Sequence, residues 1–252
     1  MRNYWVAFVV VVSLWAHTGL VLGEPIHWVA ADLPPFIWQE DGQPKGYAND
    51  IIEAMSKKLG RRADISFYPW ARAVKMTGDG PSYGVFPLAR TPDREANFRW
   101  LVPLARVRYI FLGRREAATE GAGPDLKNLS SLRTHRIGVL RGSPIIRNLQ
   151  ASQFQKIIEA KSYKELLDLL LMDMLDAVYA GDVMIWASVA QSGHARSEFR
   201  SGTSLGEANL YLAASVQLDD EEFGHWTHAY DMILRDGTVN RLQKKYSIGR
   251  RP

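Results

Sequence analysis

Short apolar runs of strand length alternate with segments whose apolar residues recur at helical spacing, and this alternation restricts the fold more than any other feature of the chain. "IHWVAA" (26–31) is a strand-length apolar run that ends at "DLPPF", where two prolines stop regular structure. "YANDIIEAMSKKLG" (47–60) then reads as a helix. Ile51, Ile52, Met55 and Leu59 share one face, Asn49 or Asp50 is expected to cap its start, and Gly60 to end it. "DISFYPW" reads as a strand, "ARAVKMTGDG" as a short helix, and "YGVFPLA" and "VRYIFLGRR" as strands. Such alternation is the pattern of an α/β sheet with helical crossovers.

The stretch "EAATEGAGPDLKNLSSLRTH" is polar and rich in small residues, and reads as a boundary. A second alternation follows it. Strand "RIGVL", loop "RGSP", helix "IIRNLQ", strand "KIIEA", helix "YKELLDLLLMDML", strand "DAVYA" and helix "DVMIWASVAQSG" succeed one another, and strand "LYLAASV" comes next. The C-terminal helical segment "DEEFGHWTHAYDMILRDGTVNRLQKKY" is expected to break at Gly237 and restart at Thr238. With 252 residues, 46% of them hydrophobic and 23% charged, the chain has the length and balance for two such α/β units, the C-terminal segment returning to the first.

The N-terminus, "MRNYWVAFVVVVSLWAHTGLVLGEP", has a basic start, an apolar run from Trp5 to Trp15 and small residues near Gly23, the pattern of a secretory signal cleaved between Gly23 and Glu24. The rival reading is an uncleaved anchor, but Ser13, His17 and Thr18 break a run already shorter than the roughly 20 apolar residues a spanning helix needs. No cysteine is present, so disulfides and cysteine-ligated metals are excluded. A net charge of +4, with scattered basic pairs, argues against a nucleic-acid surface.

Candidate functional residues collect after strands. "PLARTPDREANFRWLVP" (87–103) brings Arg90 and Arg94 out of a loop behind an apolar strand; they are either solvated charges or anion holders. Open α/β sheets bind ligands at the carboxyl ends of strands, and a guanidinium can grip a carboxylate with two parallel hydrogen bonds. The competing role for Arg94 is a surface pair with Asp93 or Glu95. In "VLRGSP", Gly142 allows close backbone approach and Ser143 is expected to cap the next helix, facing an anion from the second unit. Arg72, at the start of a helix, opposes the helix dipole unless it has a partner, and is a second candidate anion contact. Two enzymatic patterns fail in context. Gly202-Thr203-Ser204-Leu205-Gly206 matches a nucleophile elbow but lacks the strand before and helix after, and reads as a glycine-rich loop. His225 and His228 lack a third metal ligand.

Taken in order, "DLPPF", "GYANDIIEAMSKKLG", "RTPDREANFRW", "DLKNLSSLRTHRIGVLRGSP", "LDAVYAGDV" and "LYLAAS…LRDGTVNRLQKKY" resemble the bacterial extracellular solute-binding proteins of family 3 over nearly the whole mature chain. The resemblance implies a two-lobed type II periplasmic-binding fold with two crossover strands, near "YIFLGRR" and "LYLAA". Lobe 1 would comprise 24–111 plus 207–252 and lobe 2 residues 112–206, after a signal peptide at 1–23. It implies that Arg94, in the Thr-x-x-Arg loop with Ala89 and Arg90 ahead of it, holds a ligand carboxylate. Trp70 would line the cleft, and Phe36, Leu33 and Trp38 come from the facing loop. The sequence departs from the family where an ammonium-binding aspartate is usual: Gly181 stands there, with Asp182 beside it. Pro87, Ala89, Leu33 and the added Arg90 depart as well, and point to an anionic or modified ligand. The implied function is a monomeric periplasmic receptor for a small carboxylate-bearing solute, serving an ABC transporter permease and using no cofactor or metal. Alternatives are a ligand-sensing module for a signalling partner, or a secreted serine hydrolase through Ser204.

Overall fold

The computed structural model describes residues 25–115 and 124–249. The signal reading falls on residues outside this range. The first unit places β1 (His27–Ala30) between β4 (Asp64–Phe67) and β5 (Tyr83–Arg90), all parallel, while β2 (Trp38–Glu40) and β3 (Gln43–Lys45) form a separate small hairpin. The second unit places β7 (Arg136–Leu140) between β8 (Lys156–Ala160) and β9 (Ala177–Gly181), again parallel. Two strands of 17 residues, β6 (Phe98–Arg114) and β10 (Phe199–Ser215), run antiparallel between the units, and the full order is β4-β1-β5-β10-β6-β9-β7-β8. One end of β10, Asn209 to Ala214, pairs with β5; the opposite end of β6, Tyr109 to Leu112, pairs with β9. The two units are thus halves of one sheet, joined through the middle of this long ladder.

Both long strands exceed the lengths expected from pattern. "FRWLVPLA" joins β6 despite Pro103, because the β6–β10 register shifts between Leu210 and Tyr211, where Pro103 faces Tyr211 and no ladder donor is required of it. "GTSLG" is not a loop but part of β10, with Ser204 opposite Ile110 and register shifts on either side.

Helices cover the sheet. α1 (Tyr47–Lys58) buries Ile51, Ile52 and Met55, as their spacing requires. Its start differs from expectation: Gly46 is the N-cap, at φ 128, and a Cβ there would lie 2.4 Å from the Phe36 carbonyl oxygen. Asn49 and Asp50 lie inside the helix. α2 (Trp70–Asp79) packs on β5 and β10, and α7 (Asp220–Arg235) on α1. Gly237, at φ 78, breaks the helical run before α8 (Thr238–Lys245), whose end returns to α1 through Lys245 and Tyr246, both 2.8 Å from Asp50. In the second half, a short α3 (Leu129–Leu132) precedes β7, and α4 (Ile145–Ala151), α5 (Tyr163–Leu171) and α6 (Asp182–Gln191) follow.

The core of the first half is aromatic. Trp28 meets Phe86 at 5.7 Å and Trp226 at 5.0 Å, both edge-on. Buried Glu222 ties this region together, accepting from both Arg61 Nη2 contacts (2.8 Å each), from Trp226 Nε1 (2.7 Å) and from the Ile26 amide. Among the described residues no helix is long and apolar enough to cross a membrane.

Candidate functional site

The carboxyl ends of β1, β4, β7 and β8 converge on one cleft between the halves. Its free volume is ≈ 280 Å³, bounded by Asp32, Leu33, Tyr68 and Pro69 from the first half and by Leu140, Lys161 and Ser162 from the second. This is where an open α/β sheet leaves backbone N–H groups and loop side chains free to meet a ligand.

Arg94 closes the tight turn after β5, its amide donating to the Thr91 carbonyl at 2.9 Å. The turn folds its side chain inward, to 8% exposure. Nη1 donates to the Ala89 carbonyl at 3.5 Å, and Nη2 donates across the junction to the Gly142 carbonyl at 2.9 Å. Gly142 itself lies at φ 76, and a Cβ there would stand 2.9 Å from the Ala71 Cβ, so the loop after β7 sits against the start of α2 only as glycine. Beside this contact Arg147 of α4 pairs with Asp93 at 3.0 Å. Asp93 is thereby engaged, and the side-chain partners of Arg94 are neutral carbonyls. Burial pushes the Arg94 pKa down from its ordinary value, with the Asp93 charge acting against it. An enclosed guanidinium without a carboxylate is costly unless something anionic completes it.

Phenols stand behind Arg94. Burial raises the Tyr109 hydroxyl to about 12, with the Arg94 charge drawing it down. Tyr163 and Tyr179, also raised by burial, complete the cluster; Tyr163 donates to Met184 Sδ at 3.9 Å and Tyr179 to the Leu205 carbonyl.

The structure brings Arg94, Ala89 and Gly142 together. Trp70 is the first residue of α2, 4% exposed, next to the Ala71 that Gly142 touches. Ser143 follows Gly142 but does not cap α4: Pro144 occupies the cap with no side-chain hydrogen bond. Arg72 does not line the cleft; its guanidinium lies 4.8 Å over the ring of Tyr68, which does.

Other candidates are held elsewhere. Phe36 is a core residue, fully buried with Tyr47 6.2 Å away, because the Pro-Pro turn directs it inward. Arg90 is bound to Glu95 through Nε (2.9 Å) and Nη2 (2.5 Å) and lies 5.4 Å from the rings of Trp100 and Tyr211; the Glu95 contacts raise its pKa and leave the guanidinium committed. Asp182 accepts from the Arg108 amide and Nε, both at 3.3 Å, and from the Val183 amide. It lines a different cavity, of ≈ 550 Å³, with Arg108, Trp186 and Arg196. Gly181 ends β9 and is followed directly by α6.

The elbow geometry around Ser204 is not formed, since it lies mid-strand and its Oγ donates to the Gly206 carbonyl at 3.4 Å. His225 lies 3.7 Å from Glu222 and 3.9 Å from Glu221, and no metal-holding group occurs among the described residues. Asp32, Tyr68, Tyr109 and Lys161 were not expected. Asp32 and Lys161 each follow a strand end, the signal that exposed Arg94.

The family model of the bacterial extracellular solute-binding proteins, family 3, matches residues 27–249. The chain is 21% identical over 217 residues to the probable amino-acid-binding protein YxeM of Bacillus subtilis (strain 168), covering 84% of this chain and 79% of that one. Among solved structures it resembles an ancestral arginine-binding protein bound to arginine, with TM-score 0.76, 18% identity and coverage of 88% and 97%. It also resembles a histidine kinase sensor domain with similarity to periplasmic binding proteins, with TM-score 0.77, 15% identity and coverage of 88% and 95%. These neighbours have the type II periplasmic-binding fold, and this chain shares it.

Proposed function

The chain belongs to the bacterial extracellular solute-binding proteins, family 3, and on that premise we propose that it captures a small carboxylate-bearing solute, an amino acid or related anion, between two closing lobes. Lobe 1 is residues 24–111 plus 207–252 and lobe 2 residues 112–206, with β6 and β10 as the crossovers. The observation that carries this reading is Arg94: an enclosed cation at the junction of the halves whose side-chain partners are two carbonyl oxygens. A carboxylate gives it charge-assisted, bidentate hydrogen bonds in place of neutral ones. Trp70 and Gly142 shape the surroundings, and Ser143 brings its hydroxyl from the second half. No bond is made or broken in this account, and no cofactor takes part.

The leader directs the protein to the periplasm, where the liganded, closed form is what an ABC transporter permease recognises. A second reading keeps the binding step and changes the reader: the likeness to a kinase sensor domain favours a module that reports ligand to a signalling partner.

The test is thermal unfolding of residues 24–252 against amino acids, dicarboxylates, amines and sugars. A ligand at about a thousand times its dissociation constant adds about 4 kcal/mol. A large upward shift confined to carboxylates supports the receptor; a shift with amines or sugars alone contradicts it.

A further inference from the structure

The cavity of ≈ 550 Å³ lined by Asp182 lies apart from Arg94. Successive side chains of a strand point to opposite faces. On β6, Tyr109 stands behind Arg94, so Arg108 and Ile110, which line this cavity, look to the other face of the sheet. Both halves wall it. Pro35 and Tyr246 come from the first half, and the Tyr246 hydroxyl donates to Asp50 of α1 at 2.8 Å. Val183 and Trp186 of α6, and Arg196 of the turn that follows, come from the second. The volume suits a small organic molecule.

Three charged residues line the cavity: Arg108, Arg196 and Asp182. Asp182 is already engaged, accepting from the Arg108 amide and Nε, both at 3.3 Å, and from the Val183 amide at 2.8 Å. Arg196 is in no ion pair among the described residues. Its guanidinium carbon lies 3.9 Å from the centre of the Trp186 ring, which steadies the cation without giving it a charge partner. Glu198, two residues on, is held by the Ala195 amide at 2.6 Å and by His194 at 3.3 Å. The cavity thus sets one uncompensated cation among apolar and aromatic side chains.

We infer that this cavity is a second ligand site and that it takes a small aromatic carboxylate. The carboxylate accepts from Arg196, and the ring lies against Trp186, Val183 and Ile110. The charge-assisted hydrogen bond orients the molecule, and burial of its ring supplies much of the affinity. Because the walls belong to both halves, occupancy favours the arrangement in which those walls stand together. The site goes beyond the cleft-receptor reading, and neither depends on the other.

Titration calorimetry with phenylacetate, 2-phenylacetamide and acetate tests it, on the wild type, Arg196→Gln and Arg196→Lys. Arg196 is exposed, so its substitutions leave the core intact. Phenylacetate should bind the wild type at least about tenfold tighter than either control, since the amide lacks the charge and acetate lacks the ring. Arg196→Gln should weaken phenylacetate by about tenfold, and Arg196→Lys by less. Equal binding of the amide or of acetate overturns the ligand class. Phenylacetate affinity unchanged in Arg196→Gln would put the molecule elsewhere, the Arg94 cleft included, and overturns the site. No binding of phenylacetate overturns it too, whatever the cleft binds.

Discussion

Arg94 and Gly142 depend on each other. The guanidinium reaches the Gly142 carbonyl only because the loop after β7 lies against Ala71, and that approach leaves no space for a side chain at 142. Gly142→Ala therefore meets two costs, a strained positive φ and a clash with α2. It should destabilise the protein by about 1 kcal/mol or more. Ligand affinity should fall further than stability, because the loop must back away from Arg94. Urea unfolding and calorimetry on the same variant separate the two; unchanged affinity would show that the halves need not approach here. At this scale the sequence pointed to Arg94 as either an anion holder or a surface partner of Asp93 or Glu95, and the structure encloses it against two carbonyl oxygens instead of either acid. The sequence did not disclose that Arg90, four residues earlier, is spent on Glu95, or that Phe36 points into the core. Both outcomes depend on side-chain direction, which strand and turn pattern leave open.

Among the elements, α7 is tied to the first half in part by one buried carboxylate. Glu222 binds Arg61, Trp226 Nε1 and the Ile26 amide, joining the helix to the α1–β4 loop and to the start of β1. Glu222→Gln leaves Arg61 without its charge partner and should cost about 3 kcal/mol in chemical denaturation; a loss under about 0.5 kcal/mol would mean that water replaces the contact. In the second half Asp176 plays a comparable part for β7. Burial alone would raise its carboxyl, but hydrogen bonds from the Arg136 guanidinium and amide outweigh this and hold it below the usual range. A carboxyl so depressed stabilises the fold above its unfolded value, near pH 4, and that contribution disappears as pH falls through the folded value. Asp176→Asn should thus lose stability at neutral pH and show a shallower acid decline than wild type; parallel declines would contradict the linkage. Element types followed well from periodicity, because amphipathic faces such as that of α1 are fixed by burial. Element lengths did not: Pro103 and the glycines of "GTSLG" are tolerated in β6 and β10 through register shifts that only pairing reveals. The β2–β3 hairpin, with Asp41-Gly42 at its turn, went unread although that dipeptide is a hairpin signal.

For the whole molecule, contacts between the halves beyond the central ladder include Arg94 on Gly142, Gly142 on Ala71, and Arg147 with Asp93. The Arg147–Asp93 pair is largely solvated, with side-chain exposures of 67% and 31%, so it contributes about 1 kcal/mol or less. Arg147→Ala should leave the unfolding midpoint nearly unchanged while raising the radius of gyration of the ligand-free protein in X-ray scattering. Added salt should have the same effect on the wild type. A scattering profile that is indifferent to both would show that closure does not depend on this pair. Two α/β units and a returning C-terminal segment were legible from the doubled alternation. How the units meet was not, because the cleft is made of loops whose positions follow from the long strands between them.

Calorimetric titration of the tightest-binding carboxylate against wild type, Arg94→Ala and Arg94→Lys tests the central claim most directly. Removing the guanidinium should cost about 2–5 kcal/mol, a loss of at least about thirtyfold in affinity. Lysine should recover only part of it, as a point charge cannot make the bidentate pair. If Arg94→Ala bound the ligand as tightly as wild type, the carboxylate would be held elsewhere and the account of this cleft would be wrong.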